Sequence, residues 1–170
     1  MQYEVPGVTL FVQDKGNACW FASAMMLVNW AERYRPSNPL LGLNKCSAID
    51  KDTLALYQAD NGIKNPQIIP LAKRLGLQSV PPMSPSIRGL QGWLMNWGPL
   101  WTNGKRHIVV IAGLRGDETV GYEVKVYDPW PGNSVTWRSL DGWYTGFNPG
   151  PNGASSRDTG SDVEAVFLHA

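Results

Sequence analysis

The hydrophobic pattern of this chain changes its period once, near residue 98, and that change limits the folds open to it. Residues 18–97 carry helix signals, and residues 99–170 carry strand signals separated by turns. Helices grouped before strands predict an α+β fold rather than alternating βαβ units. The expected arrangement is a helical half over residues 1–97 packed on an antiparallel sheet built from residues 98–170. A length of 170 residues suits one domain over the whole chain.

The strongest helix signal starts at Cys19. Phe21, Met25, Val28 and Ala31 recur at the spacing of one helical face. Other faces of the same segment are also apolar, which predicts a central helix with Met25 and Met26 in the core. Gly16 and Asn17 precede it, and Pro36 and Pro39 stop it. A loop over 36–48 should follow, then a short helix over 50–58. Asn65-Pro66 opens a third helix, with Pro in the first turn, that ends at Gly76. A fourth runs over 84–97. In the sheet half, strands are expected at 99–102, 107–114, 122–128, 134–137 and 163–168, with a surface loop over 147–162. The second and third of these should pair antiparallel through Gly116–Gly121.

Composition removes several function classes. Hydrophobic residues are 43% and charged residues 17%, which excludes disorder for most of the chain. Fifteen Lys and Arg against fourteen Asp and Glu leave a net charge of +1. A nucleic-acid partner would call for a basic patch or stripe, so none is expected. No segment reaches the roughly 18 apolar residues of a membrane span, so no membrane insertion is expected either. The first residues, Met1-Gln-Tyr-Glu-Val-Pro, lack the pattern of a classical signal peptide. Two cysteines exclude a disulfide scaffold. Together with two histidines at irregular separations they match no zinc spacing, so neither metal nor cofactor is expected.

Four residues can carry chemistry. Cys19 begins the central helix, where the helix dipole favours a thiolate; the competing reading is a small core side chain. His107 opens a buried strand and can act as a base; alone it also reads as a turn histidine. Asp128 closes the strand after next, so pairing of the two strands brings it to the same end as His107. There it can fix the imidazole tautomer, or simply open an Asp-Pro turn. Gln13 lies six positions before the cysteine and can donate toward an oxyanion, or be an ordinary surface side chain. His169 is the poorer base, because chain ends fray.

Gln13-(x5)-Cys19-Trp20 at a helix start, Gly98-Pro99 leading to His107-Ile-Val-Val-Ile-Ala-Gly, and Val126-Tyr-Asp128-Pro129 together resemble the papain-like cysteine peptidases. The likeness is strongest to their small bacterial branch, which includes avirulence-effector proteases of plant pathogens and bacteriocin-leader peptidases. It spans roughly residues 5–130. It implies a papain-like fold with Cys19 as nucleophile, His107 as base, Asp128 as orienting residue and Gln13 as oxyanion donor. Trp20 and Trp130 would flank the site and line the groove. Residues 36–62 and 131–170 match nothing in the resemblance; the first reads as an insertion near the groove. Cys46 reads as a spare thiol and Asp14-Lys15 as a solvated turn.

The expected activity is peptide-bond cleavage through an acyl-enzyme, with a peptide or protein as substrate. The resemblance implies an effector or toxin domain, secreted or delivered by a specialised route, with a cognate inhibitor or immunity protein in the producer. A peptidoglycan amidase or endopeptidase, or a transglutaminase or deamidase, would use the same three residues. A binding module with Cys19 in its core is the non-enzymatic alternative.

Overall fold

The central helix forms where the apolar spacing places it. Helix α1 spans Cys19–Tyr34. It is buried on more than one face: Trp20, Ala24, Met26, Leu27, Val28 and Ala31 are all inaccessible or nearly so. Helix α2 spans Lys51–Gln58. A 3-10 turn at Asn65–Gln67 leads into α3, Ile68–Leu75, and Gly76 closes it in the left-handed conformation with φ 70°. Helix α4 spans Ile87–Trp97, starting later than the sequence suggests because Ser86 caps it, its hydroxyl accepting from the Gly89 N–H at 3.1 Å. The computed structural model describes residues 1–35, 51–81, 83, 85–103, 107–140 and 167–170. The expected loops over 36–48 and 147–162, and Cys46, lie outside the described residues.

Among the described residues, seven strands form one antiparallel sheet. They are β1 (Gln2–Glu4), β2 (Gln78–Val80), β3 (Leu100–Asn103), β4 (Ile108–Asp117), β5 (Gly121–Tyr127), β6 (Val135–Ser139) and β7 (Phe167–His169). Their order is β2-β7-β3-β4-β5-β6, with β1 also on β4. The architecture is α+β, but the division at residue 98 is incomplete. Strands β1 and β2 come from the first half and join the sheet through β4 and β7. Each is three residues long, too short to show a period-two pattern.

Strand β4 is the spine. It pairs with β1, β3 and β5, and Ile108–Leu114 is buried throughout; at Gly113 a Cβ would press on Lys125 and the Trp137 ring. Helix α1 packs across β3 and β4. Two hydrogen bonds fix it there. The Ser23 hydroxyl donates to Ile108 O at 3.2 Å, and the buried Trp101 indole N–H donates to Trp20 O at 3.1 Å. Both bonds fall in the first turns of α1, so the start of that helix is located relative to the start of β4.

Gly98 joins α4 to β3 with φ 87°, and a Cβ there would run into the Trp30 ring of α1. Gly98→Ala should therefore lose more than about 1 kcal/mol, from strain and from clash together. Urea unfolding monitored by tryptophan fluorescence checks this, and an unchanged midpoint would contradict it.

Candidate active site

Cys19 is the first residue of α1 and is part-exposed. Ala18 before it supplies no capping side chain, so the first-turn N–H groups have no side-chain cap. The preceding loop is fastened from outside. Asp60 accepts from the Asn17 N–H at 2.9 Å, and its carbonyl accepts from Asn17 Nδ2 at 3.0 Å. Asn61 O accepts from the Trp20 indole N–H at 3.0 Å. The Tyr57 hydroxyl donates to Asp14, and the Tyr57 ring stacks on Phe21 at 4.2 Å. Lys15 reaches Gln58 O at 3.4 Å and lies over the Tyr57 ring. Asp14-Lys15 is thus no merely solvated turn: it is half of a clasp between α2 and the loop before Cys19. The hydrogen bond to Asp14 pushes the Tyr57 phenol up to about 12.

Strands β4 and β5 pair as the sequence predicts, through a shorter turn, with Asp117 opposite Gly121 and Val110 opposite Tyr127. Asp128 directly follows Tyr127 and His107 directly precedes Ile108, so the pairing brings both to the same end of the sheet. His107 is 4% exposed and Asp128 is fully buried. His107 Nε2 and Asp128 Oδ1 lie 2.7 Å apart. The ring also hydrogen-bonds Cys19. Burial opposes a charged imidazole, but the hydrogen bonds and charges of Asp128 and Cys19 prevail and raise His107 to about 9. Burial likewise opposes the carboxylate, yet its bonds to His107, the Trp130 N–H and Arg138 bring Asp128 down to about 2.

These shifts fix a pH dependence of stability. His107 is raised above its ordinary 6.5, so its contribution is complete below that value and is lost as pH climbs toward about 9. Asp128 is lowered below 3.8, so its contribution is complete above that value and is lost as pH falls toward about 2. Urea midpoints should fall between about pH 6.5 and 9 in the wild type, and the fall should be smaller in His107→Asn. Equal slopes for the two proteins would contradict the assignment.

The Asp128 carboxylate has two further partners that the sequence reading missed. Asn133 Nδ2 donates to Oδ2 at 2.8 Å, and Arg138 Nη2 donates to Oδ2 at 2.9 Å. The available signal was parity: Arg138 pairs with Val124 and Thr136 with Val126, so all four share the face on which Asp128 follows.

The remaining predicted residues fall out differently. The Gln13 N–H donates to Pro129 O at 2.8 Å, which places the Gln13 segment beside Asp128-Pro129-Trp130. Gln13 is 3% exposed, and its amide nitrogen donates to Lys15 O at 2.7 Å and Gly16 O at 3.1 Å. Among the described residues its Oε1 has no donor. Trp20 is fully buried and packs beneath the site, so it does not line a groove. Trp130 is 38% exposed and meets His107 edge-on with centroids 6.2 Å apart. His169 is not frayed: it is buried in β7 and stacked on Trp97 at 4.1 Å. Among the described residues no three His, Cys, Asp or Glu side chains gather as a metal site, and no helix is long and apolar enough to cross a membrane.

Comparison with known proteins gives the same direction. No curated protein matches the sequence significantly. Among solved structures, UfSP from C. elegans superposes with a TM-score of 0.61 at 15% identity, over 99% of this chain and 33% of that one. The chain thus spans a third of that protein, and the likeness is one of fold. Residues 1–145 match the family described as papain-like cysteine protease AvrRpt2. The match covers most of the chain, which therefore belongs to the AvrRpt2 family of papain-like cysteine proteases.

Proposed function

We propose that Cys19, His107 and Asp128 form the catalytic triad of this peptidase. One observation carries the reading: the same buried imidazole interacts with both Cys19 and the Asp128 carboxylate. His107 takes the thiol proton, and the thiolate attacks the scissile carbonyl. The tetrahedral oxyanion is met by the Cys19 N–H and by the Gln13 amide, which must release one of its loop carbonyls to donate. The imidazolium protonates the leaving amine, and water, deprotonated by His107, resolves the thioester. Asp128 holds the ring and its charge throughout. Trp130 stands at the rim as a wall of the substrate groove. No metal or organic cofactor enters these steps.

The family match supports a protein or peptide substrate and an effector role, with delivery into another cell by a specialised secretion route and a cognate inhibitor in the producer. The domain is read as continuous over residues 1–170. Wild type and Cys19→Ala, expressed in the bacterial cytoplasm and separately with periplasmic targeting, test this. Growth arrest by wild-type protein in the cytoplasm, accompanied by shortened host proteins, is the expected result. Arrest confined to the periplasm would redirect the activity to cell-wall peptides. Transfer of an amine label without chain cleavage would redirect it to transglutamination.

A further inference from the structure

A buried carboxylate has about four acceptor positions, and each left empty costs free energy. In Asp128 all four are filled. Oδ1 accepts from His107 Nε2 at 2.7 Å and from the Trp130 N–H at 3.0 Å. Oδ2 accepts from Asn133 at 2.8 Å and from Arg138 at 2.9 Å. Two of the four sit on the oxygen that faces away from the imidazole. A carboxylate bound only through Oδ1 could turn about its Cβ–Cγ bond. Bound through both oxygens, it presents Oδ1 to His107 in one orientation.

Arg138 differs from the other donors because it brings a full charge. It lies on β6, on the face that Asp128 shares, and its Nε donates to Thr136 Oγ1 at 3.0 Å. Its side chain is 24% exposed, while the carboxylate is fully buried. A cation beside a buried carboxylate is poorly screened by solvent.

We propose that Arg138 is a positioning residue for the peptidase site, orienting the Asp128 carboxylate and offsetting part of its charge so that the imidazolium is not over-stabilised. The inference rests on the triad reading above and adds a residue to it. Among the described residues, the charged or titratable groups facing Asp128 are His107 from the start of β4 and Arg138 from β6. Those facing His107 are Cys19 from α1 and Asp128.

The sign follows. With Arg138 neutralised, the carboxylate acts on His107 without an opposing charge, and the imidazolium is harder to deprotonate. NMR titration of the His107 ring reads this directly, with no substrate needed. The chain has two histidines, and His169→Gln identifies the other signal. Arg138→Met should raise the His107 midpoint by about half a pH unit or more, as expected for removing one unit charge near a part-buried site. Arg138→Gln keeps a donor without the charge, should shift the same way, and serves if Arg138→Met does not fold. Arg138→Lys restores the charge and should return the midpoint to within about a quarter unit of wild type. A folded neutral variant whose His107 titrates as in wild type, or lower, overturns the proposal. Failure of the triad reading looks different: wild-type His107 would titrate near its ordinary value and ignore Cys19→Ala.

Discussion

Cys19→Ala should abolish peptidase activity, a fall of at least about 10⁴-fold in kcat/KM, while leaving the fold in place. On the proposed mechanism Cys19 forms the covalent intermediate. Stability should change little, because Cys19 is part-exposed at a helix start and alanine is a good helix former there. The variant has a second signature. The Cys19 hydrogen bond and charge are among the causes that raise His107, so removing the sulfur should lower the His107 midpoint from about 9. Loss of activity with an unchanged His107 titration would mean that sulfur and ring do not interact. Retained activity would remove Cys19 from the chemistry altogether.

Asp128→Ala should be damaging twice over. It leaves the buried His107 N–H, the Trp130 N–H, the Asn133 amide and the Arg138 guanidinium without their shared acceptor. Breaking a buried, hydrogen-bonded charge pair from one side costs about 3–5 kcal/mol. Activity should fall by about 10²-fold or more, because the imidazole loses its fixed orientation as well as its counter-charge. Asp128→Asn separates the two effects. The amide keeps the shape, so stability recovers in part, but its N–H₂ must face two of the four donors and its charge is gone. The His107 midpoint should therefore fall in Asp128→Asn. Urea unfolding and ring titration check the pair, and an Asp128→Ala protein as stable as wild type would contradict the network.

The residues that were legible in the sequence owe their visibility to local pattern. Helix α1 announces itself by spacing, and His107 and Asp128 each end or begin a β-branched run whose pairing brings them to one end. What escaped depends on contacts between distant segments. The clasp from α2 joins residues 43 positions apart, such as Asn17 and Asp60, and no local signal marks it. The two stretches that resembled nothing familiar both reach the site where they are described: Tyr57 to Asn61 brace the loop before Cys19, and Asn133 and Arg138 bind the Asp128 carboxylate. Trp20 was misplaced for a geometric reason. Successive residues on a helix point about 100° apart, so a cysteine facing a cleft sends its neighbour toward the core. Gln13 shows the limit of reading a donor from residue type, since its amide already serves two carbonyls of its own loop.

The central claim is that the Cys19 sulfur is paired with the His107 ring. The rate of iodoacetamide alkylation at pH 7, measured with Cys46 replaced by serine, tests it most directly. A Cys19 sulfur paired with the ring should react at least about tenfold faster than glutathione, and His107→Ala should bring the rate down to that of glutathione. Equal rates for the parent protein and His107→Ala would contradict the pairing and, with it, the proposed mechanism.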